Sequence, residues 1–149
     1  MISNEHYLTL PYRPGVGMMV VNSNNQCFVG KRVDTKADAW QMPQGGIDGE
    51  ENPAEAALRE LYEETGIKSV RIIAETKLWY YYDLPDYLIN KLWDGKYRGQ
   101  KQKWFLMEFF GDEKQINLEQ GPITEFLAWR WVDVISLQDI IIPFKKKLY

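Results

Sequence analysis

The apolar residues of this chain fall into short runs that polar, glycine and proline positions separate. Runs of this kind that are rich in β-branched and aromatic residues are typical of β-strands. The predicted strands are Val16–Val21, Cys27–Arg32, Val70–Tyr82, Trp104–Phe110 and Ala128–Asp133. A helical pattern covers 53–65, and a final apolar helix begins at Ser136 and is ended or kinked by Pro143. Strands interspersed with helices predict an α/β or α+β sandwich around a mixed β-sheet.

The helical pattern over 53–65 has clear start and stop signals. Asn52 is a favourable N-cap, Pro53 suits the first helical position, and Glu55 completes a capping-box pattern. Gly66 is a matching C-cap residue. The sequence therefore predicts one helix that directly follows a loop with two glycines.

Three acidic residues share one face of this predicted helix. Glu60, Glu63 and Glu64 have i, i+3 and i+4 spacing, which brings like charges together at a cost of roughly several tenths of a kcal/mol per pair. A cation would offset this repulsion, and Mg²⁺ suits the face because it prefers carboxylate and phosphate oxygens. Helix spacing alone leaves a solvated acidic face as an equal alternative.

The other residues of the helix have more ordinary roles in this interpretation. Arg59 can hold a neighbouring carboxylate in a bidentate pair and so fix its rotamer. Ala56 lies on the acidic stripe, and we expect its small side chain to leave room for a ligand. The residues expected to pack on the sheet are Ala54, Ala57, Leu58 and Leu61.

Composition narrows the function classes. The chain has 149 residues, 45% hydrophobic and 26% charged, which predicts one globular domain over 1–149. Its net charge of -3 disfavours a general nucleic-acid binder. One Cys and one His exclude an intrachain disulfide and a Cys/His zinc site, and they disfavour Ser-His or Cys-His nucleophilic catalysis. We see no signal peptide or membrane span and no evident obligate protein partner, so the cytoplasm is the default location.

The complete segment 45–67 resembles the Nudix box at every defined position. It contains Gly45, five residues, Glu51, seven residues and then RELYEETGI over 59–67. The resemblance implies a Nudix-type α/β/α sandwich with a central mixed β-sheet and a loop-helix-loop catalytic motif. It also implies Mg²⁺-dependent hydrolysis of a diphosphate bond, with Mn²⁺ as a substitute ion. The implied metal-binding groups are Glu60, Glu63, Glu64 and a backbone carbonyl near Gly45.

The flanking sequence resembles one branch of that family. The segments YRPGVG, WQMPQGGI, GQKQKWFL and TEFLAWRWV are similar to those of bacterial RNA pyrophosphohydrolases and of dinucleoside polyphosphate hydrolases. This resemblance implies 5′-triphosphorylated RNA or a dinucleoside polyphosphate as the substrate. A catalytically silent domain that only binds nucleotides or RNA is the alternative from a different class.

Residues outside the box then acquire expected roles. Glu125 matches a position that approaches the metal site, as a metal ligand or as the general base, with Glu64 as its competitor for the base. Arg13 and Phe144 match positions that flank a base, and stacking between a guanidinium and a ring is typical of single-strand RNA recognition. The remaining expected substrate-binding residues are Arg32, Lys101 and Lys103 for phosphates and Tyr82 for the groove wall.

Overall fold

The computed structural model describes residues 9–33, 40–84 and 95–136. These ranges contain one α-helix, α1 (Pro53–Thr65), and eight strands. The strands are β1 (Tyr12–Val21), β2 (Gln26–Arg32), β3 (Trp40–Gln41), β4 (Gln44–Gly46), β5 (Val70–Glu75), β6 (Tyr80–Asp83), β7 (Gly99–Phe109) and β8 (Phe126–Asp133). Single turns of 3₁₀ helix cover Glu113–Gln115 and Val134–Ser136.

The eight strands form a mixed sheet, as the sequence predicted. Five of them follow the order β3-β2-β1-β7-β5, while β4 pairs with β1, β6 with β7, and β8 with β2. β1 and β7 are parallel over their whole length, from Tyr12 opposite Gly99 to Val21 opposite Glu108. Every other pair is antiparallel. The long parallel pair therefore forms the centre of the sheet.

One face of the central strands forms the main core with α1. Side chains alternate along a strand, so Val16, Met18 and Val20 of β1 share a face with Phe105 and Met107 of β7. The inner face of α1 packs on them with Ala56, Ala57 and Leu61, all fully buried. A second, smaller cluster on the opposite face contains Cys27, Val29 and Met42, with Met19 and Trp104 packed against it.

The predicted long strand over Val70–Tyr82 is wrong, because the chain forms two strands there. β5 shifts its register against β7 between Ile72 and Ala74, and β6 resumes the pairing at Tyr80 opposite Gln102. The segment between β5 and β6 has more residues than the stretch of β7 opposite it. These residues cannot all pair with β7, and Leu78 among them is exposed.

The packing predicted for the helix is also partly wrong. Ala56 is fully buried in the core, whereas Leu58 is 42% exposed. The helix is rotated so that the stripe of Ala56, Glu60 and Glu64 turns toward the molecule. This rotation brings two acids inward at the cost of exposing a leucine.

The second helical layer of the predicted α/β/α sandwich depends on the helix that begins at Ser136, and residues 137–149 lie outside the described part of the chain. The described residues establish the mixed sheet and the helix on one of its faces. Among them, no helix has both the length and the apolar character that crossing a bilayer requires.

Candidate active site

Strand β4 brings the glycine loop directly against the acidic helix. Gly45 pairs with Val16 in the antiparallel β1–β4 ladder. A Cβ atom placed on Gly45 would lie 2.2 Å from Cγ and Cδ of Glu60, which is closer than such atoms can approach. Glycine is therefore the residue that allows an acid of α1 to lie on the backbone of β4.

The ends of α1 are fixed by the caps that the sequence predicted. Asn52 Oδ1 accepts a hydrogen bond from the backbone N–H of Ala54 at 2.8 Å. Gly66 ends the helix in the left-handed conformation, with φ at 75°, and its N–H donates to the Tyr62 carbonyl at 2.7 Å. Between these caps, Glu60 and Glu64 lie one turn apart and both reach the same cavity.

Glu64 is the most unusual side chain of the site. It is 6% exposed, and among the described residues its Oε2 atom has no hydrogen-bond partner. Burial, reinforced by the charges of Glu60 and Glu125, raises the pKa of Glu64 well above its ordinary value, although the backbone N–H of Gln44 opposes the rise. An unpartnered buried polar atom costs about 1–3 kcal/mol, so the position is built for a ligand.

Arg59 gathers the acids that surround the loop. Its Nε and Nη2 atoms form a bidentate pair with Glu51, at 2.8 Å and 2.9 Å. Its Nη2 also donates to the Gly46 carbonyl at 3.0 Å, which ties the helix to β4. The other carboxylates within ion-pair distance are those of Glu60 at 2.8 Å, Glu63 at 3.3 Å and Asp48 at 3.4 Å.

The two acids nearest to Arg59 respond in opposite directions. Hydrogen bonding from Arg59 lowers the pKa of Glu51, which therefore stays ionised. Burial raises the pKa of Glu60 in spite of its hydrogen bond to Arg59. Glu51 consequently holds Arg59 in place. At Glu60, a bound cation would stabilise the ionised carboxylate that burial disfavours.

A cavity of about 320 Å³ lies where these elements meet. Of the residues that the sequence singled out, its lining contains Arg13, Arg32, Gly45, Glu60, Glu64, Tyr82 and Glu125. Two of its acids come from the helix, while Glu125 precedes β8 and the two arginines come from β1 and β2. That arrangement suits a polyphosphate held together with a cation.

The structure does not bring the remaining candidates into the cavity. Glu63 is turned to Arg59, although it belongs to the same helical face as Glu60. Lys101 and Lys103 point to the opposite side of β7, where both ammonium groups lie over the ring of Trp79 at 4.8 Å and 5.4 Å. Phe144 lies outside the described residues. Substrate binding by these three residues stays a prediction.

Sequence reasoning missed the neutral residues of the cavity, Gln41, Gln44 and Gln100. The basic charges in the run 96–103 indicated Lys101 and Lys103 instead. Because side chains alternate along β7, the face that carries Lys101 and Lys103 excludes Gln100 and Gln102, and the glutamines face the cavity side. The alternation K-Q-K in the sequence was the available signal, but it does not tell which face is functional.

A metal ion fits the donors that are present. The unpartnered Glu64 oxygen, the partly buried Glu60 and the nearby Glu125 are hard oxygen donors whose mutual repulsion an ion would relieve. Within the described ranges, no three acidic, histidine or cysteine side chains are already gathered about one point. The carboxylates of Glu60 and Glu63 pair instead with one atom of Arg59, Nη1, at 2.8 Å and 3.3 Å.

We expect the metal-free protein to lose stability as the pH rises above 4.5, the ordinary pKa of glutamate. The pKa of Glu64 is raised by folding, so between its unfolded and folded values the folded state binds more protons than the unfolded state. The free energy of unfolding therefore falls with rising pH in that window. Glu51, whose pKa is lowered, contributes the opposite slope only below 4.5.

Thermal unfolding in a chelating buffer across this pH range measures the effect. Glu64→Gln should flatten the slope, whereas Glu55→Gln, which changes an exposed acid of the same helix, should leave it unchanged. A melting temperature that holds level or rises with pH in the wild-type protein would contradict the expected role of Glu64.

Comparison with known proteins gives a consistent result. A family model for the NUDIX domain matches residues 11–149. An RNA pyrophosphohydrolase of Rickettsia typhi is 58% identical over 147 residues, which cover 99% of this chain and 91% of that protein. One from Rickettsia bellii is 57% identical over 148 residues, with the same two shares.

Solved structures show the same architecture at low sequence identity. The dihydroneopterin triphosphate pyrophosphohydrolase of E. coli superposes with a TM-score of 0.72 at 19% identity and covers 93% of both chains. An Ap4A hydrolase of C. elegans, in a binary complex, has a TM-score of 0.58 at 18% identity, covering 85% of this chain and 84% of that one. At these identities the likeness concerns the fold alone.

Proposed function

The chain belongs to the NUDIX family of hydrolases, and from that membership we propose that it removes pyrophosphate from the 5′-triphosphate end of RNA and leaves a 5′-monophosphate. The observation that carries the proposal is the cavity lined by the buried Glu64 and the partly buried Glu60 of α1 together with Arg13 and Arg32. Relatives named RNA pyrophosphohydrolase, which match nearly the whole chain at 56–58% identity, support RNA as the substrate.

Nudix hydrolases generally need a divalent metal, and we assign Mg²⁺ to this site, with Mn²⁺ as a substitute. The chain would hold it with Glu60, Glu64, the Gly45 carbonyl and Glu125, joined by Glu63 once that side chain leaves Arg59. When bound, such an ion would neutralise the charge that develops during phosphoryl transfer.

The side chains of the cavity divide the remaining work. Arg32 binds phosphate oxygens, and Arg13, whose guanidinium lies against Gly46, provides a flat face for the first bases of the RNA. Tyr82 of β6 forms part of the groove wall. A carboxylate of the cavity, Glu125 or Glu64, orients the attacking water and accepts its proton. Arg59 holds the acidic side chains in place through ion pairs and does not contact the substrate.

The substrate is tested by comparing two compounds at equal enzyme and Mg²⁺ concentrations. We expect 5′-triphosphorylated RNA to yield pyrophosphate and 5′-monophosphorylated RNA faster than diadenosine tetraphosphate is cleaved. Rapid cleavage of the dinucleotide without an RNA product would assign the site to a dinucleoside polyphosphate hydrolase instead. Binding of RNA without any product would indicate a catalytically silent domain.

Glu125→Gln distinguishes the two roles that remain open for Glu125. If Glu125 ligates the metal, the Mg²⁺ concentration for half-maximal activity should rise by about tenfold or more. If Glu125 is the general base, kcat should fall by about 10²-fold or more at saturating Mg²⁺, without that rise. Glu119→Gln, which changes an exposed acid of the preceding loop, is the matched control. Wild-type values for both quantities would remove Glu125 from the site.

A further inference from the structure

A chain of hydrogen bonds between neutral side chains lies behind the cavity and ends at Gln100. We propose that this amide relay, made of Trp104, Gln102, Gln44, Gln100 and Tyr82, fixes the Gln100 carboxamide so that its NH₂ group donates to a phosphate oxygen of the substrate. Trp104 and Gln102 are then positioning residues that act through Gln100. The phosphate as ligand rests on the proposed function, whereas the direction of the relay rests on the geometry alone.

The relay has a fixed direction because its first member only donates. The indole Nε1–H of Trp104 donates to Gln102 Oε1 at 3.1 Å, and an indole offers no acceptor. Gln102 must therefore use its Nε2 atom at the other end, where it donates to Gln44 Oε1 at 2.9 Å and to Gln100 Oε1. Gln102 is fully buried, so a flipped amide would leave several polar atoms unpaired and is disfavoured.

The Gln100 carbonyl oxygen has a second donor in Tyr82. The hydroxyl of Tyr82 donates to Gln100 Oε1 at 2.8 Å. Burial raises the pKa of Tyr82, so the hydroxyl stays protonated and keeps this role. The carbonyl end of Gln100 thus accepts from two donors, and its NH₂ end is the part that meets a ligand.

The NH₂ end of Gln100 lies beside the glycine loop. A Cβ atom placed on Gly15 would be 2.9 Å from Gln100 Nε2 and 2.7 Å from the Gly45 carbonyl oxygen, so the two groups flank one small space. The Gly45 backbone also contacts Glu60. A neutral donor suits this place, because it can bind a phosphate oxygen without repelling a cation that binds the same phosphate.

The indole that sets the direction is itself fixed by β1. Trp104 lies opposite Gly17 in the parallel ladder, and a Cβ atom on Gly17 would fall 2.4 Å from the ring. The ring therefore lies flat against the backbone of β1. Only a glycine at position 17 lets the ring lie so close to β1. The sheet therefore determines the position of the indole N–H group.

Trp104→Phe tests the relay, since it keeps an aromatic ring and removes the N–H group. We expect KM for 5′-triphosphorylated RNA to rise about fivefold while kcat stays within about twofold. Gln102→Met, which removes both ends of the central amide at similar volume, should raise KM at least as much. Trp131→Phe is the matched control, because its indole donates to Glu113 at 2.7 Å, away from the cavity, and its KM should not change.

A double-mutant cycle separates positioning from general damage to the fold. Gln100→Ala should raise KM, and in that background Trp104→Phe should add nothing, because the group it orients is gone. An equal rise of KM in both backgrounds, or KM values for Trp104→Phe and Gln102→Met that match Trp131→Phe, would overturn the proposal.

The orientation can be measured without turnover. In ¹⁵N-labelled protein with Mg²⁺, inorganic pyrophosphate should shift the Gln100 side-chain NH₂ signals, and Trp104→Phe should require several times more pyrophosphate for the same shift. If pyrophosphate shifts the Gln100 signals as expected but the wild-type protein does not hydrolyse the RNA, the relay is supported and the proposed substrate is refuted. Gln100 signals that pyrophosphate leaves unchanged in the wild-type protein would refute the relay itself.

Discussion

Replacing Glu64 by Gln is expected to lower kcat by on the order of 10³-fold and, at the same time, to stabilise the metal-free protein. Activity falls because the buried carboxylate that faces Glu60 and Glu125 no longer carries the charge that attracts the cation. The stability of the variant relative to the wild-type protein rises as the pH increases above 4.5, because the amide, unlike the buried carboxyl group, has no proton to lose. Phosphate release and thermal unfolding in a chelating buffer measure the two effects.

The combination of a lower kcat with a higher stability distinguishes this role of Glu64 from general damage to the fold. Glu55→Gln, on the exposed side of the same helix, should change neither quantity by more than the scatter of surface substitutions. Added Mg²⁺ should raise the melting temperature of the wild-type protein and should do so much less in Glu64→Gln. A variant that keeps more than a tenth of the wild-type kcat would show that another acid has the central role.

Gly45→Ala should reduce kcat/KM by about 10²-fold although it adds one methyl group. The new Cβ atom would overlap the Glu60 side chain, whose Cγ and Cδ atoms would be 2.2 Å away, so the carboxylate must move away from β4. Displacement of a catalytic group by about 1 Å can cost this much. The Mg²⁺ concentration needed for half-maximal activity should rise in the same titration.

Gly49→Ala is the control for this substitution, because it lies in the same loop. A Cβ atom there meets nothing within 4 Å, but the backbone φ of 51° strains an alanine. It should therefore cost about 1 kcal/mol of stability and leave kcat/KM unchanged. If both glycine variants lost activity in proportion to their stability, the contact between Gly45 and Glu60 would have no separate role.

The helix was the part of the fold that the sequence determined best. Its caps are local chemistry, and Asn52 and Gly66 act in the structure as their residue types require. Its rotation was predicted less well, since Leu58 is exposed where the apolar pattern placed it inside. Hydrophobic periodicity assumes that only apolar groups turn inward, and a helix that presents Glu60 and Glu64 to a cavity violates that assumption.

The same limitation affected the substrate-binding side. Charge in the run 96–103 pointed to Lys101 and Lys103, yet the strand turns Gln100 to the cavity. Which face of a strand is functional depends on the strands beside it, here β1 with Arg13 and β6 with Tyr82. Such long-range pairing cannot be read from one short stretch of sequence. The break between β5 and β6 was missed for the same reason, because only pairing with β7 reveals it.

The ion pairs of the Arg59 guanidinium affect how the acidic helix can fold. The guanidinium pairs with the carboxylates of Glu51, Glu60 and Glu63 and so reduces the repulsion among them. The acidic helix therefore has a counter-ion within the chain itself, so we expect it to fold without an added cation. A metal ion that bound to Glu60 and Glu63 would compete with the arginine for both carboxylates.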